Sequence, residues 1–153
     1  MTEYNLKYKH IKHEVINAVR KAIIEKRIFK QNQNDRFNIL KDLLKELCEI
    51  YNINEQQKPN LKITELATDG FYNSEENSIN LNKKLSLITF LHEFKHFLQI
   101  ITHKENSEEI ARGYSISLFY KSSPRHFERA LRKGFIIHQK PTTENQKGNK
   151  NLC

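Results

Sequence analysis

The chain has 153 residues, of which 37% are hydrophobic, 10% aromatic and 29% charged, so its length predicts one domain and its aromatic content excludes wholesale disorder. No apolar run approaches the roughly 18 residues that a membrane-spanning helix needs, which excludes an integral membrane protein. The net charge of +8 favours a nucleic acid, an acidic lipid surface or an acidic protein partner, but it selects none of them.

The first third of the chain is predicted to be helical. Between about residues 6 and 30, apolar side chains recur at helical spacing among basic and acidic ones. The polar segment 31–34 interrupts this pattern, and Asn34 or Asp35 is predicted to cap a second helix. That helix carries the clearest apolar stripe of the chain, made of Phe37, Leu40, Leu44, Leu47, Cys48 and Tyr51. Such a stripe predicts a helix that faces the core.

Three short strands are predicted next. Imperfect alternation over residues 61–66 indicates one strand, and the dipeptide Asp69-Gly70 indicates a turn. Residues 71–72 and 78–82 flank the turn-rich segment 73–77, which predicts a hairpin with a five-residue loop.

Three helices are predicted after the hairpin. The first, from about residue 83 to 101 with Asn82 as its cap, is apolar on most sides, which is typical of a buried helix. The second covers about residues 107–121. Ser123 and Pro124 begin the third, and Gly134 ends it. Residues 1–138 are predicted to form a single domain, and the polar residues 139–153 a disordered tail.

The buried helix contains His92-Glu93-Phe94-Lys95-His96, an H-E-x-x-H motif. Residues four apart lie on the same face of a helix, so His92 and His96 can bind one zinc ion. Glu93 projects near that face and can take a proton from a metal-activated water. The alternative is a pair of core histidines with satisfied hydrogen bonds, but such polar side chains inside an apolar helix are costly without a partner.

A catalytic zinc ion usually has a third protein ligand. Four residues near the start of the next helix could supply it: His103, Glu105, Glu108 and Glu109. Glu108 shares a helical face with Ala111 and Ser115, the face expected to pack on the zinc helix, and is therefore favoured. If Asn106 is the N-cap, Glu109 lies at the third helical position and completes a capping box instead.

From Phe71 to Phe127 the sequence resembles the minimal zincin metallopeptidases, especially the ImmA/IrrE and SprT-like groups. The resemblance rests on the hairpin that ends at residues 78–81, on the stretch 91–96, and on a second helix with Glu108-Glu109-Ile110-Ala111, Tyr114-Ser115 and Leu118-Phe119 before Pro124. It implies a zincin-like α+β fold with N-terminal helices, a small three-stranded sheet, the H-E-x-x-H helix and following helices.

The residues and the resemblance together predict a zinc metallopeptidase. His92, His96 and Glu108 are expected to bind Zn²⁺, and Glu93 is expected to act as general base. A peptide or protein substrate is expected to pair with the last strand, residues 78–82. The alternative hypothesis is a non-enzymatic basic helical module that binds nucleic acid, weakly, or a protein partner, with zinc structural or absent.

Two further expectations concern the oxyanion and the cellular compartment. Any of Tyr72, Tyr114 and His126 could stabilise an oxyanion, and the sequence selects none of them. Cys48 is predicted to be buried, and the two cysteines form no Cys-x-x-Cys pair. Without a disulfide framework or a secretory signal after Met1, the sequence predicts a cytoplasmic protein.

Overall fold

The computed structural model describes residues 11–134. The tail predicted for residues 139–153 and the domain boundary predicted at residue 138 therefore lie outside the described residues. Within the described range the architecture is α+β, as predicted.

In chain order, the elements are helices α1 (His13–Arg20) and α2 (Gln33–Ile50), strands β1 (Asn60–Ile63), β2 (Gly70–Asn73) and β3 (Ser78–Leu81), and helices α3 (Leu87–Ile101), α4 (Glu108–Ser122) and α5 (Pro124–Arg132). A π-helical turn extends α1 over Lys21–Glu25, and short 3-10 turns cover Ile28–Lys30 and Glu55–Gln57. Within residues 11–134, no helix has both the length and the apolar character that crossing a bilayer requires.

Helix α2 buries Leu40, Leu44, Leu47 and Cys48 of the predicted apolar stripe, and Phe37 and Tyr51 at its ends are half-buried. Its N-cap is Asn32, and not Asn34 or Asp35 as predicted. The backbone of Asn32 is extended, and its Oδ1 accepts a hydrogen bond from the Asp35 backbone N–H at 2.8 Å. The residue that flanks a helix at its N-terminus makes this kind of hydrogen bond to a free N–H of the first turn. The helix therefore begins at Gln33, earlier than the predicted caps imply.

Strand β3 is the central strand of the sheet, whose order is β1-β3-β2. Strands β2 and β3 form the predicted hairpin, with Tyr72 opposite Ile79. On the other side, β1 runs parallel to β3 and places Leu61 opposite Ile79. Because both sides of β3 are paired, the prediction that a substrate strand adds beside residues 78–82 is wrong. Among the described strands, only β1 and β2 have a free edge.

Helix α3 lies between the sheet and α4. It begins at Leu87, because Ser86 Oγ accepts a hydrogen bond from the Thr89 backbone N–H at 3.2 Å. The predicted cap, Asn82, closes a turn before the helix instead. Leu85 separates the two, and its φ of +50° is left-handed, which a right-handed helix cannot include. The helix is therefore shorter at its N-terminus than predicted.

The last helix follows the sequence closely. Ser123 caps α5 and Pro124 is its first residue, as predicted. Gly134 lies just beyond the helix with a φ of +80°, the conformation in which glycine commonly ends helices.

Gly70 at the start of β2 leaves no room for a side chain. A Cβ atom at this position would lie 2.6 Å from the backbone oxygen of Asn80 and 2.8 Å from a methyl carbon of Leu81. We expect Gly70→Ala to lower the free energy of unfolding by about 1–3 kcal/mol, the usual cost of forced overpacking. Chemical denaturation of the wild-type protein and of Gly70→Ala measures the difference. An unchanged unfolding midpoint for Gly70→Ala would contradict the close packing of Gly70 against Asn80 and Leu81.

Candidate metal centre

Two histidines of α3 face the N-terminus of α4. His92 and His96 lie one turn apart, and their ring centroids are separated by 4.9 Å. Each side chain is only 9% exposed. Their four-residue spacing places them on one face of the helix, so the structure forms the histidine pair that the motif predicts.

Glu108, the first residue of α4, lies between the two imidazole rings. Its Oε1 accepts a hydrogen bond from His92 Nε2 and its Oε2 accepts one from His96 Nε2, both at 3.0 Å. Ligand atoms of the three side chains all lie within 4.8 Å of one another. Imidazole nitrogens and carboxylate oxygens are common ligands of transition metals. The three residues could therefore hold a metal ion, and they are the residues that the sequence suggested.

The start of α4 explains why Glu108 takes this position and Glu109 does not. The N-cap is Ser107, whose Oγ accepts a hydrogen bond from the Ile110 backbone N–H. Glu109 is consequently the second helical residue and points about 100° away from Glu108 around the helix axis, where it is exposed. The capping box considered for Glu109 does not form, because Asn106 is not the cap.

The remaining two candidates for a third ligand lie in the turn before α4. His103 and Glu105 are exposed, and neither belongs to the group of possible metal ligands found among the described residues. The alternatives to Glu108 therefore lie away from the two histidines.

Asn106 and Gln99 contact the ring nitrogen of His96 that points away from Glu108, Nδ1. Asn106 Oδ1 lies 2.7 Å from His96 Nδ1, and Gln99 Oε1 lies 3.1 Å from the same atom. Gln99 also donates from its Nε2 to the Ser107 backbone oxygen, which fixes the orientation of its amide. Since both amide oxygens can only accept, Nδ1 carries the proton that they bind. The opposite nitrogen, Nε2, faces Glu108 and is the atom that can bind a metal.

His92 lacks such support. Its Nδ1 is buried and has no hydrogen-bond partner among the described residues. The position of the His92 ring is therefore set by packing in α3 and by its contact with Glu108.

We expect Asn106→Ala to weaken metal binding at this candidate site, probed with Zn²⁺, by about 10- to 100-fold, the usual effect of removing an outer-shell partner of a metal-binding histidine. The shortest contact to His96 Nδ1 would be lost, so the ring would be less firmly oriented. Competition against a fluorescent zinc chelator measures the affinity. Asn54→Ala is a matched control, because Asn54 is an exposed residue whose side chain makes no capping hydrogen bond. Equal affinity in both variants would show that Asn106 does not position His96.

The electrostatics of the three residues favour a cation beside Glu108. Hydrogen bonds from His92 and His96 hold the pKa of Glu108 well below its usual range. Burial alone would lower the pKa of His96, but hydrogen bonds to Glu108 and Asn106 and the charge of Glu108 raise it to about 9. In the protein without metal, the carboxylate is thus stabilised chiefly by hydrogen bonds from the two imidazole rings. A metal cation would satisfy the same carboxylate.

Glu93 lies beside this group and does not belong to it. Its side chain is buried, and it is absent from the set of ligand atoms that converge. Burial raises the pKa of Glu93, although the charges of His92 and His96 and a backbone hydrogen bond with Tyr72 act in the opposite direction. Glu93, the residue predicted as general base, therefore lies next to the candidate ligands but is not one of them.

A cavity of about 380 Å³ gives access to the site. It is lined by Thr68, Asp69, Gly70, Thr89, His92, Glu93, Glu108 and Arg112. Glu108 connects the buried histidines to solvent, because its side chain is 68% exposed whereas theirs are 9% exposed. The candidate centre therefore opens at one side, where a small molecule or an extended chain can approach.

None of the three groups considered for an oxyanion lines this cavity. The Tyr72 hydroxyl donates to Asn77 Oδ1 at 2.6 Å, and the Tyr114 hydroxyl lies 2.9 Å from the Tyr51 hydroxyl. His126 Nδ1 lies 2.7 Å from the hydroxyl of its helix cap. All three polar groups are thus engaged away from the candidate centre.

Three groups of site residues escaped the sequence prediction. Arg112 could have been found, because it lies four residues after Glu108 and must share its helical face. Asn106 and Gln99 carry no motif that distinguishes them from other polar side chains near helix ends. The cavity rim at residues 68–70 depends on how β2 lies over α3, which local sequence does not specify.

In comparisons with known proteins, no family model, curated protein or solved structure matches the chain. The fold and the site define an α+β protein with a candidate two-histidine, one-glutamate metal centre, open to a cavity on one side.

Proposed function

We propose that the chain is a zinc metallopeptidase of the zincin type, which hydrolyses a peptide bond. The observation that carries this proposal is the convergence of His92, His96 and Glu108 beside the buried carboxyl group of Glu93, at an open cavity. A metal centre of this composition with an acid–base residue next to it is suited to hydrolysis.

The donor set fits zinc better than the common hard cations. Two imidazole nitrogens and one carboxylate oxygen are a typical protein ligand set of catalytic zinc, whereas Ca²⁺ and Mg²⁺ prefer oxygen ligands. His96 already has its Nδ1 proton bound by amide oxygens, which leaves Nε2 for the metal. When bound by such a set, zinc polarises a carbonyl group and lowers the pKa of a water molecule.

Glu93 would carry the proton during hydrolysis. Its carboxylate would accept a proton from the attacking water and then deliver it to the nitrogen of the leaving amine. Its place next to His92 in the chain, outside the ligand group, keeps the carboxylate near the reacting atoms without occupying a ligand position.

Strand β2 offers the main-chain contacts for an extended substrate. It is an edge strand, and its first residue, Gly70, lines the cavity beside His92 and Glu93. A peptide that adds to this edge would gain main-chain hydrogen bonds and pass the candidate centre. The proposal thus moves the substrate from β3 to β2.

Metal content and hydrolysis test the proposal together. We expect about one zinc per chain in the purified protein, loss of that zinc in His96→Ala, and cleavage of a mixed peptide library by the zinc-loaded protein only. His13→Ala is the matched control, since His13 is exposed on α1. Zinc binding without cleavage of any library peptide would contradict the peptidase assignment. Retention of zinc by His96→Ala would contradict the site itself.

A further inference from the structure

We propose that Arg112 recognises a carboxylate group of the substrate, so that the enzyme prefers peptides with a carboxylate close to the cleaved bond. This inference rests on the proposed peptidase function and names a substrate class for it. The feature that carries it is a cationic side chain in the wall of the cavity that contains the candidate metal ligands.

The position of Arg112 follows from α4. Arg112 lies four residues after Glu108, so the two share one helical face and are about 6 Å apart along the helix axis. Both line the cavity, together with His92 and Glu93. A group bound by Arg112 would therefore lie within a residue or two of a peptide bond held at the histidines.

The guanidinium group of Arg112 has no structural task within residues 11–134. It makes no ion pair and donates no hydrogen bond there, and the hydrogen bond from Ser115 Oγ is accepted by the backbone oxygen of Arg112. Arg20 and Arg36 differ, since each donates to backbone carbonyl groups of neighbouring elements. Five N–H donors in a planar fork thus remain available to a ligand.

Arg112 is also the only lysine or arginine among the described residues that line the cavity. Asp69 lies in the same wall, but it makes no ion pair with Arg112, and its carboxylate accepts a hydrogen bond from the Asn82 amide. Glu108 is engaged by the two histidines. A carboxylate matches the free fork best, since it can accept two parallel N–H hydrogen bonds.

A peptide can offer this carboxylate in two ways: as the α-carboxylate of its C-terminal residue, or as the side chain of an aspartate or glutamate. Three variants of one test peptide separate them. The first ends in a free carboxylate, the second in an amide, and the third is the amide with an aspartate in place of an asparagine beside the cleaved bond. Hydrolysis of each is measured as kcat/KM.

We expect Arg112→Gln to lower kcat/KM by about 10- to 100-fold for the first or the third peptide, whichever carries the carboxylate that Arg112 binds. This is the range for a lost charge-assisted contact. The plain amide should change by less than about 2-fold. Arg112→Lys should lie between wild type and Arg112→Gln, because lysine keeps the charge and loses the fork. Arg125→Gln removes an equal charge at an exposed position outside the cavity and should have no effect.

Equal losses on all three peptides would overturn the inference, because Arg112 would then act on the cleaved bond itself. No loss on any of them would overturn it as well.

A binding measurement separates this inference from the proposed function. Calorimetric titration of the same peptides into zinc-loaded Glu93→Gln needs no catalysis. Tighter binding of a carboxylate peptide, abolished by adding Arg112→Gln, is the expected result. If the wild-type protein binds carboxylate peptides more tightly and yet cleaves no peptide at all, the peptidase assignment fails, and carboxylate binding by Arg112 stands. If wild type cleaves peptides and no preference is present, the role of Arg112 fails alone.

Discussion

Replacing Glu93 with glutamine should abolish peptide hydrolysis and leave zinc bound. The glutamine side chain has the same shape, but it cannot accept a proton from water. Positioned acid–base groups contribute about 10²- to 10⁴-fold to rate, so activity should fall by at least this factor. Zinc should remain, because Glu93 is not among the three converging ligand residues. Metal analysis and a peptide cleavage assay on the same preparation measure both results.

Glu109→Gln is the matched control for this experiment. Glu109 is a glutamate in the first turn of α4, but it is exposed and does not line the cavity. Its replacement should change neither zinc content nor cleavage. If Glu93→Gln loses its zinc, Glu93 is a metal ligand and the proposed division of roles is wrong. Full activity in Glu93→Gln would assign the proton to another residue.

Glu108→Ala should weaken zinc binding by more than about 100-fold, beyond the usual effect of removing an outer-shell partner. Its carboxylate contacts both imidazole rings at 3.0 Å, and without it a two-histidine site remains. Glu109→Ala should change the affinity by less than about 2-fold. Both glutamates lie in the first turn of α4, so their interactions with the helix dipole cancel in the comparison. Zinc titration against a chelator of known affinity gives both constants.

The opposite order of affinities would mean that α4 is rotated about its axis relative to the structure, with Glu109 as the third ligand. If both variants keep zinc, the third ligand comes from outside α4. Circular dichroism of each variant shows whether a loss of zinc reflects a lost ligand or a lost fold. Unfolding of Glu108→Ala without metal would point to a structural role of the carboxylate.

Periodic features were predictable from the sequence. The four-residue spacing fixes His92 and His96 on one face of α3, whatever the helix packs against. Likewise, the positions of Ala111 and Ser115 indicate which side of α4 is buried, and Glu108 lies on that side. These predictions need only the geometry of a single helix.

The pairing partners of the strands were not predictable in this way. The hairpin of β2 and β3 follows from a short turn, but the parallel pairing of β1 with β3 joins strands that are not consecutive in the chain. Local pattern carries no information about that choice, so the position of the free edge was assigned to the wrong strand. The cap of α4 was uncertain for a similar reason, because Asn106 and Ser107 are both good caps and the contact with His96 decides between them.

The attachment of α4 at its far end limits how small a working fragment of this protein can be. Arg20 of α1 donates to the backbone oxygens of Ser122 and Lys121 at the C-terminus of α4, at 3.1 and 3.3 Å. These are the carbonyls that a helix leaves unpaired, and a cation is favoured beside them. Residues 71–127 contain every candidate ligand, yet a fragment of those residues alone would lack this support, so we expect a fragment that keeps the candidate metal centre to need the N-terminal helices.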